Sequence, residues 1–213
     1  RDRLRSRGLG DVYKRQAKYR AIAILRQYCS GGREIAAITA EKLGIPCYDK
    51  KLAELTADKL GVSVEEIVKY EETLISPLFS PVSLRSGIDR KKNMSEAVFE
   101  AQAEIITNLV KKEPCVIVGR CADFILKNNV PSLSVFICST PEQRIRHAFE
   151  CHDIPHEEAS AILKKMDKKR SDYYRLNTQK EWESMLSYDV CLNSGRLGLD
   201  GCADIIAEIY KNS

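Results

Sequence analysis

The sequence predicts one α/β domain built on a mainly parallel, doubly wound central sheet with helices on both faces. Short apolar runs that suit strands buried on both sides alternate with stretches whose apolar residues recur at helical spacing. Glycines, prolines and capping residues mark the junctions. The 213 residues suffice for one well-buried core and leave little for a second.

Taken in order, Tyr19–Leu25 reads as a buried strand. A turn follows, then a helix with Ile35, Ala36, Thr39, Ala40 and Leu43 on one face, stopped by Gly44. Pro46–Tyr48 is a short second strand. Lys50–Leu60 and Ser63–Thr73 are helical, the latter opened by a Ser63/Glu66 capping box. Prolines, serines and a glycine between Ser76 and Arg90 predict a loop, and Ser95–Lys112 a helix through Val98, Ile105, Ile106 and Leu109. Cys115–Val118 and Leu133–Cys138 are strands separated by a loop and a short helix. Helices then span Pro141–His152 and His156 to about Tyr174, and the strand Val190–Leu192 leads to a last helix, Asp200–Tyr210. In such sheets ligands sit beyond the carboxyl ends of the strands, so the residues just after each strand are the ones to weigh.

The formal net charge is +4. Much of the excess lies in Arg1–Gln16, a stretch without an initiating Met or an amphipathic period that resembles translated adapter sequence. We expect residues 1–16 to be a non-native extension and residues 17–213 to be the domain, a basic nucleic-acid arm being the alternative. The remainder is about neutral, which gives no case for nucleic-acid binding. No apolar run approaches the roughly 18 to 20 residues that span a bilayer. The eight cysteines form no C-x-x-C pair, and Cys115, Cys138 and Cys191 lie in or beside strand-like runs. Reduced, buried thiols and a cytoplasmic protein without membrane partners are therefore expected.

The strongest local signal is the strand, then Ser30-Gly31-Gly32-Arg33-Glu34, then a helix. Glycines permit the tight turn, and the N–H groups at a helix start attract phosphate. The usual loop, G-x-x-x-x-G-K-[ST], adds a lysine and a hydroxyl; here Gly32 takes the lysine position, or a longer loop puts Arg33 and Glu34 in place of the pair. The second register keeps a cation over the phosphates and is preferred. A plain strand-to-helix turn remains the alternative. The strand ending in Gly119-Arg120 places a guanidinium at the sheet edge, where it can hold phosphate by two hydrogen bonds or stay an ordinary surface arginine. In the basic stretch from Lys164 to Arg175, Arg170 and Arg175 could neutralise a transferring phosphoryl group if the segment covers a nucleotide, and otherwise belong to a solvated face.

The order of these motifs resembles the cytidylate-kinase-like family. The resemblance rests on the strand before SGGREIA, YDK after the second strand, CVIVGRCADFIL, LSVFI followed by Thr140-Pro141-Glu142-Gln143-Arg144-Ile145-Arg146, KKMDKKRSDYY and SYDVCLNSGRLGLDG. It runs from about Arg20 to Tyr210. It implies a three-layer P-loop kinase fold with a helical lid at about residues 154–178, acting as a monomer with ATP and Mg²⁺ on small-molecule nucleotides. The implied reaction is phosphoryl transfer to CMP or another pyrimidine monophosphate. By the same resemblance Ser30, Gly31, Gly32, Arg33 and Glu34 hold ATP, Asp49, Arg120 and Asp123 hold the acceptor, and Arg33, Arg144, Arg170 and Arg175 supply catalytic charge. Cys29 stands where relatives have glycine, and Cys121 where cytidylate kinases have aspartate. The missing lysine and hydroxyl favour, as a rival, a nucleotide-binding regulatory protein without turnover; an interaction protein on the same fold is the reading if no phosphate ligand binds.

Two further groups stand apart. His147 and Cys151 share the i, i+4 spacing of a zinc pair, with His152 and His156 nearby, but no rigid second pair completes four ligands, so no metal site is expected and helix-surface roles are the default. Trp182, Tyr173 and Tyr174 either stack on a base or belong to the core.

Overall fold

A computed structural model describes residues 19–73 and 88–213. The expected N-terminal extension and most of the expected loop 76–90 lie outside them. Five strands form one sheet, β1 (Ala21–Arg26), β2 (Cys47–Tyr48), β3 (Cys115–Val118), β4 (Ser132–Cys138) and β5 (Val190–Asn193). All pairings are parallel, in the order β2-β3-β1-β4-β5. Eight helices occur among the described residues: α1 (Gly32–Leu43), α2 (Lys50–Leu60), α3 (Val64–Thr73), α4 (Ile88–Lys112), α5 (Ala122–Leu126), α6 (Pro141–His152), α7 (His156–Thr178) and α8 (Ser194–Lys211).

The apolar strand runs are explained by burial on both faces. Ile22, Ile24, Val116, Val118, Leu133 and Val135 point to one side, where Ile35 and Ala36 of α1 and Ala203 and Ile206 of α8 cover them. Ala21, Ala23, Cys115 and Ile117 point to the other, against Leu52 of α2, Ile106 and Val110 of α4 and Leu126 of α5. Every second residue thus serves a different core, and truncating any of these isoleucines to alanine should cost about 2–5 kcal/mol. None of the described helices is long and apolar enough to cross a membrane.

Local chemistry sets the boundaries. Ser63 and Glu66 close the capping box in both directions, at 3.0 and 3.2 Å. Thr140 caps α6 with Pro141 in the first turn. Two boundaries and the burial of one cysteine differ from expectation. Helix α4 starts at Ile88 rather than Ser95, because the sequence from residue 89 to 93 is polar throughout and offers no apolar period to read. Helix α8 starts at Ser194 rather than Asp200: Asn193 caps it by accepting from Gly195 N–H at 3.1 Å, and the backbone leaves helical geometry at Gly198 before resuming. Cys191, expected to be buried, is exposed on the edge strand β5, whereas Cys115 is fully buried.

Candidate active site

Strand β1 ends at Arg26, and residues 27–31 turn into α1. Gly31 is the N-cap, in the left-handed region at φ 73°, and no side chain caps the helix. A Cβ there would run into Leu199, so the turn and the close approach both require glycine. The loop is held from below. The Ser30 hydroxyl donates to the carbonyls of Gln27 (2.9 Å) and Ile137 (3.2 Å), and the Ser30 carbonyl accepts from Ser194 at 2.7 Å. Ser30, read as an ATP ligand, therefore spends its side chain on loop shape, while the first-turn N–H groups of α1 keep their positive dipole end uncapped.

Beyond the carboxyl ends of β1, β2 and β3 lies a cavity of about 560 Å³ whose walls include Arg26, Arg33, Asp49, Arg120 and Arg170. This is the crevice at the topological switch point, where the chain first winds from β1 towards β2 and later from β3 towards β4. A wider depression, about 710 Å³, runs along α8 beside Lys42; it is lined by alternating aliphatic and charged residues and contains none of the residues singled out above. The arginine crevice is where the charged residues gather. Arg26 lies across the loop so closely that a Cβ at Gly32 or Gly119 would collide with it. Burial holds its guanidinium well below the ordinary arginine range, with Arg170, Arg120 and Arg33 adding repulsion and Asp49 opposing it. Arginine stays protonated in proteins, so Arg26 is a buried cation with three guanidiniums and one carboxylate acting on it. Arg170 donates to the Arg26 carbonyl at 2.9 Å and sits over the Tyr28 ring, 5.2 Å from its centroid. Its guanidinium too is shifted down by burial, with Asp167 opposing and Arg33 contributing.

Just past β3, Gly119, Arg120 and Cys121 all have positive φ (73°, 53° and 54°), an arrangement that costs on the order of 1–3 kcal/mol at each non-glycine position. It turns Arg120 back into the crevice. The Arg120 Nε donates to Glu71 Oε1 at 2.9 Å, Nη2 to Glu71 Oε2 at 3.4 Å and Nη1 to the Asp49 carbonyl at 3.1 Å. Gln102 donates to the same Glu71 oxygen at 2.6 Å and accepts from the Tyr173 hydroxyl at 2.9 Å. The Asp49 carboxylate is ion-paired with Arg33 and 3.7 Å from Arg120, so it joins the phosphate loop to the second cation. Tyr173, Tyr174 and Trp182 line the cavity, and Trp182 is also core, packed edge-on against Phe136 at 5.3 Å. Tyr174 is buried core as well.

Besides Ser30, Gly31 and Gly32 of the loop, four predicted site residues are absent from the cavity lining. Arg144 is buried in a clamp: its Nε donates to the Tyr28 carbonyl at 2.8 Å, and it pairs with Asp167, which also accepts from Tyr28 N–H at 2.7 Å. It fixes the loop to α7 and is not among the cavity-lining residues. Arg175 is 58% exposed and pairs with Asp172 at 2.9 Å, off the cavity. Asp123 is buried behind Tyr174, whose hydroxyl it accepts at 2.7 Å, and burial raises its carboxyl above the ordinary range. Glu34 faces His147, 3.8 Å from Nε2, instead of the crevice. Helix spacing places residues on a face but does not say which neighbour that face meets. The sequence reading gave no role to Arg26 or Glu71. Arg26 had a signal, being a charged residue at the carboxyl end of a buried strand; Glu71 had none, since it sits among other helical acidic residues.

A five-stranded parallel sheet with a glycine loop opening its first helix, and arginines gathered at the strand ends, is the architecture of the P-loop kinases. The chain is similar to an uncharacterized protein from Eubacterium ventriosum at 26% identity and a TM-score of 0.69, over 91% of this chain and 99% of that one. It shares its fold with shikimate kinase from Bacteroides thetaiotaomicron (14% identity, TM-score 0.54, 92% and 99% covered) and a sugar kinase from a Janibacter species (15%, 0.50, 89% and 93%). The cytidylate kinase-like family matches residues 21–196, and the chain belongs to that family. No curated protein matches it.

Proposed function

We propose that this chain transfers the γ-phosphoryl group of ATP to a nucleoside monophosphate, CMP or another pyrimidine nucleotide. The observation that carries the reading is the convergence of Arg26, Arg33, Arg120 and Arg170 on one crevice beside an uncapped helix N-terminus. Four guanidiniums near one another are unfavourable unless polyanions neutralise them, and two nucleotides supply that charge.

The residues fit ATP phosphates at the N–H groups of Gly31 to Glu34, with Arg33 in place of the absent lysine. Mg²⁺ has no hydroxyl at position 34. The carboxylate placed to hold it is Asp49, which lines the cavity next to Arg33, and one or two carboxylates beside substrate phosphates commonly suffice for this ion. Mg²⁺-ATP supplies the phosphoryl group; the protein positions it. Arg33 and Arg26 neutralise charge on the ATP side, Arg120 holds the acceptor phosphate after exchanging Glu71 for it, and Arg170 covers the space between. Tyr173, Tyr174 and Trp182 offer apolar area to a base and exclude water. No covalent nucleophile is needed, because phosphoryl transfer depends on alignment and charge neutralisation.

Binding without turnover is favoured by one observation, that Glu34 turns towards His147 rather than serving a metal. A screen of nucleoside monophosphates with Mg²⁺-ATP separates the readings. ADP release that depends on a pyrimidine monophosphate supports transfer; thermal stabilisation by nucleotides with no ADP release supports the rival.

A further inference from the structure

Three potential ligand atoms, one each from Cys29, His147 and His152, lie within 4.8 Å of one another, the one group of this kind among the described residues. The residues come from two separate elements. Cys29 belongs to the loop between β1 and α1, held at φ 56°, while His147 and His152 lie on α6. The Cys151 that helical spacing pairs with His147 is exposed and not part of the group, which has Cys29 instead. One side-chain atom signals a missing partner: the Nδ1 of His147 is buried and hydrogen-bonds to nothing in the protein. The other nitrogen of that ring faces Glu34 at 3.8 Å.

We propose that Cys29, His147 and His152 form a zinc site that fastens the phosphate loop to α6. One thiolate and two imidazoles are the donor set of a tetrahedral Zn²⁺ centre, with the fourth position left to water or an incoming oxygen. Tetrahedral N and S donors around zinc are about 3.4 to 3.7 Å apart, so the three atoms need close by only about 1 Å, within the reach of side-chain rotation. The ion gives His147 Nδ1 its partner. The Nε2–H then points at Glu34, in the carboxylate–histidine–metal arrangement that orients a ligating ring. This also gives Glu34 a use that the phosphate loop does not. The site lies beside the arginine crevice and stands independently of what that crevice transfers.

The test uses the full chain, stripped of metal by chelation. Titration with Zn²⁺ by calorimetry should show one ion per chain, and Co²⁺ should give a thiolate-to-cobalt charge-transfer band. Cys29→Ser should abolish the band and weaken Zn²⁺ binding on the order of 100-fold or more, and Glu34→Gln should weaken it about 10- to 100-fold. His152→Gln, at an exposed helix end, should act as Cys29→Ser does without disturbing the fold, and it carries the test if Cys29→Ser folds poorly. Cys151→Ser should change neither readout. Wild-type affinity in both Cys29→Ser and His152→Gln, or loss of the band in Cys151→Ser, overturns the assignment.

Discussion

Replacing Arg120 separates its two roles. In Arg120→Ala, Glu71 loses two charge-assisted hydrogen bonds but keeps Gln102 at 2.6 Å. The pair is mostly buried, with 12% of the Arg120 side chain and 20% of Glu71 exposed. Breaking a fully buried pair from one side costs about 3–5 kcal/mol; with a surviving partner and partial exposure the cost here is about 2 kcal/mol. For a domain of this size that is a fall in Tm of roughly 4–8 °C. Loss of the acceptor's phosphate anchor should separately lower kcat/KM for the monophosphate on the order of 100-fold, about 2.7 kcal/mol, with the KM for ATP little changed. The double variant Arg120→Ala/Glu71→Gln removes the stranded charge. Its Tm should return most of the way to wild type while kcat/KM stays low, read by thermal unfolding and a coupled ADP-release assay. Recovery of turnover with stability would show that Arg120 acts only by neutralising Glu71 and would refute its role as the acceptor's anchor.

Arg33 is half exposed, so Arg33→Ala should cost at most about 1 kcal/mol of stability, yet reduce turnover on the order of 100-fold; steady-state kinetics with unchanged kcat would remove it from the site. Asp167→Ala unfastens Tyr28 and Arg144 together and should destabilise by about 3 kcal/mol, with hydrogen exchange rising in α7 and residues 27–31 first; uniform exchange changes would mean that the clamp is not local. For Asp123, burial raises the native carboxyl above its ordinary value of 3.8, so the folded state holds this proton more tightly than the unfolded chain does. The ionised group therefore costs stability at pH 7, and the cost fades as pH falls through the native value towards 3.8. Asp123→Asn should melt higher than wild type at pH 7 and lose that advantage near pH 4, as followed by thermal unfolding across pH.

The sheet and the order of its elements were legible because strands buried on both faces write continuous apolar runs and because Ser63/Glu66, Pro141 and Gly44 punctuate them. Arg33, Arg120 and Arg170, each lying just past a strand or on a basic helix where charge has few structural uses, line one crevice. What the sequence hid was direction. Arg144 and Arg170 both lie on helices, and only packing sends one into the Tyr28–Asp167 clamp and the other over the crevice. Arg170 reaches the Arg26 carbonyl because Asp167 and Tyr174 dock helix α7 on the loop and on Asp123. Glu71 was invisible for the same reason: its partner lies 49 residues away.

The most direct measurement of the central claim is the fate of the phosphoryl group itself. Mg²⁺-ATP and CMP are incubated with wild-type protein and with Arg120→Ala, and the nucleotides are separated and quantified over time. The account predicts CDP and ADP appearing in equal amounts with the wild type, and on the order of 100-fold more slowly with the variant at CMP concentrations below KM. ADP accumulating without a diphosphate product, or no conversion of any nucleoside monophosphate by a protein that binds ATP, would contradict it.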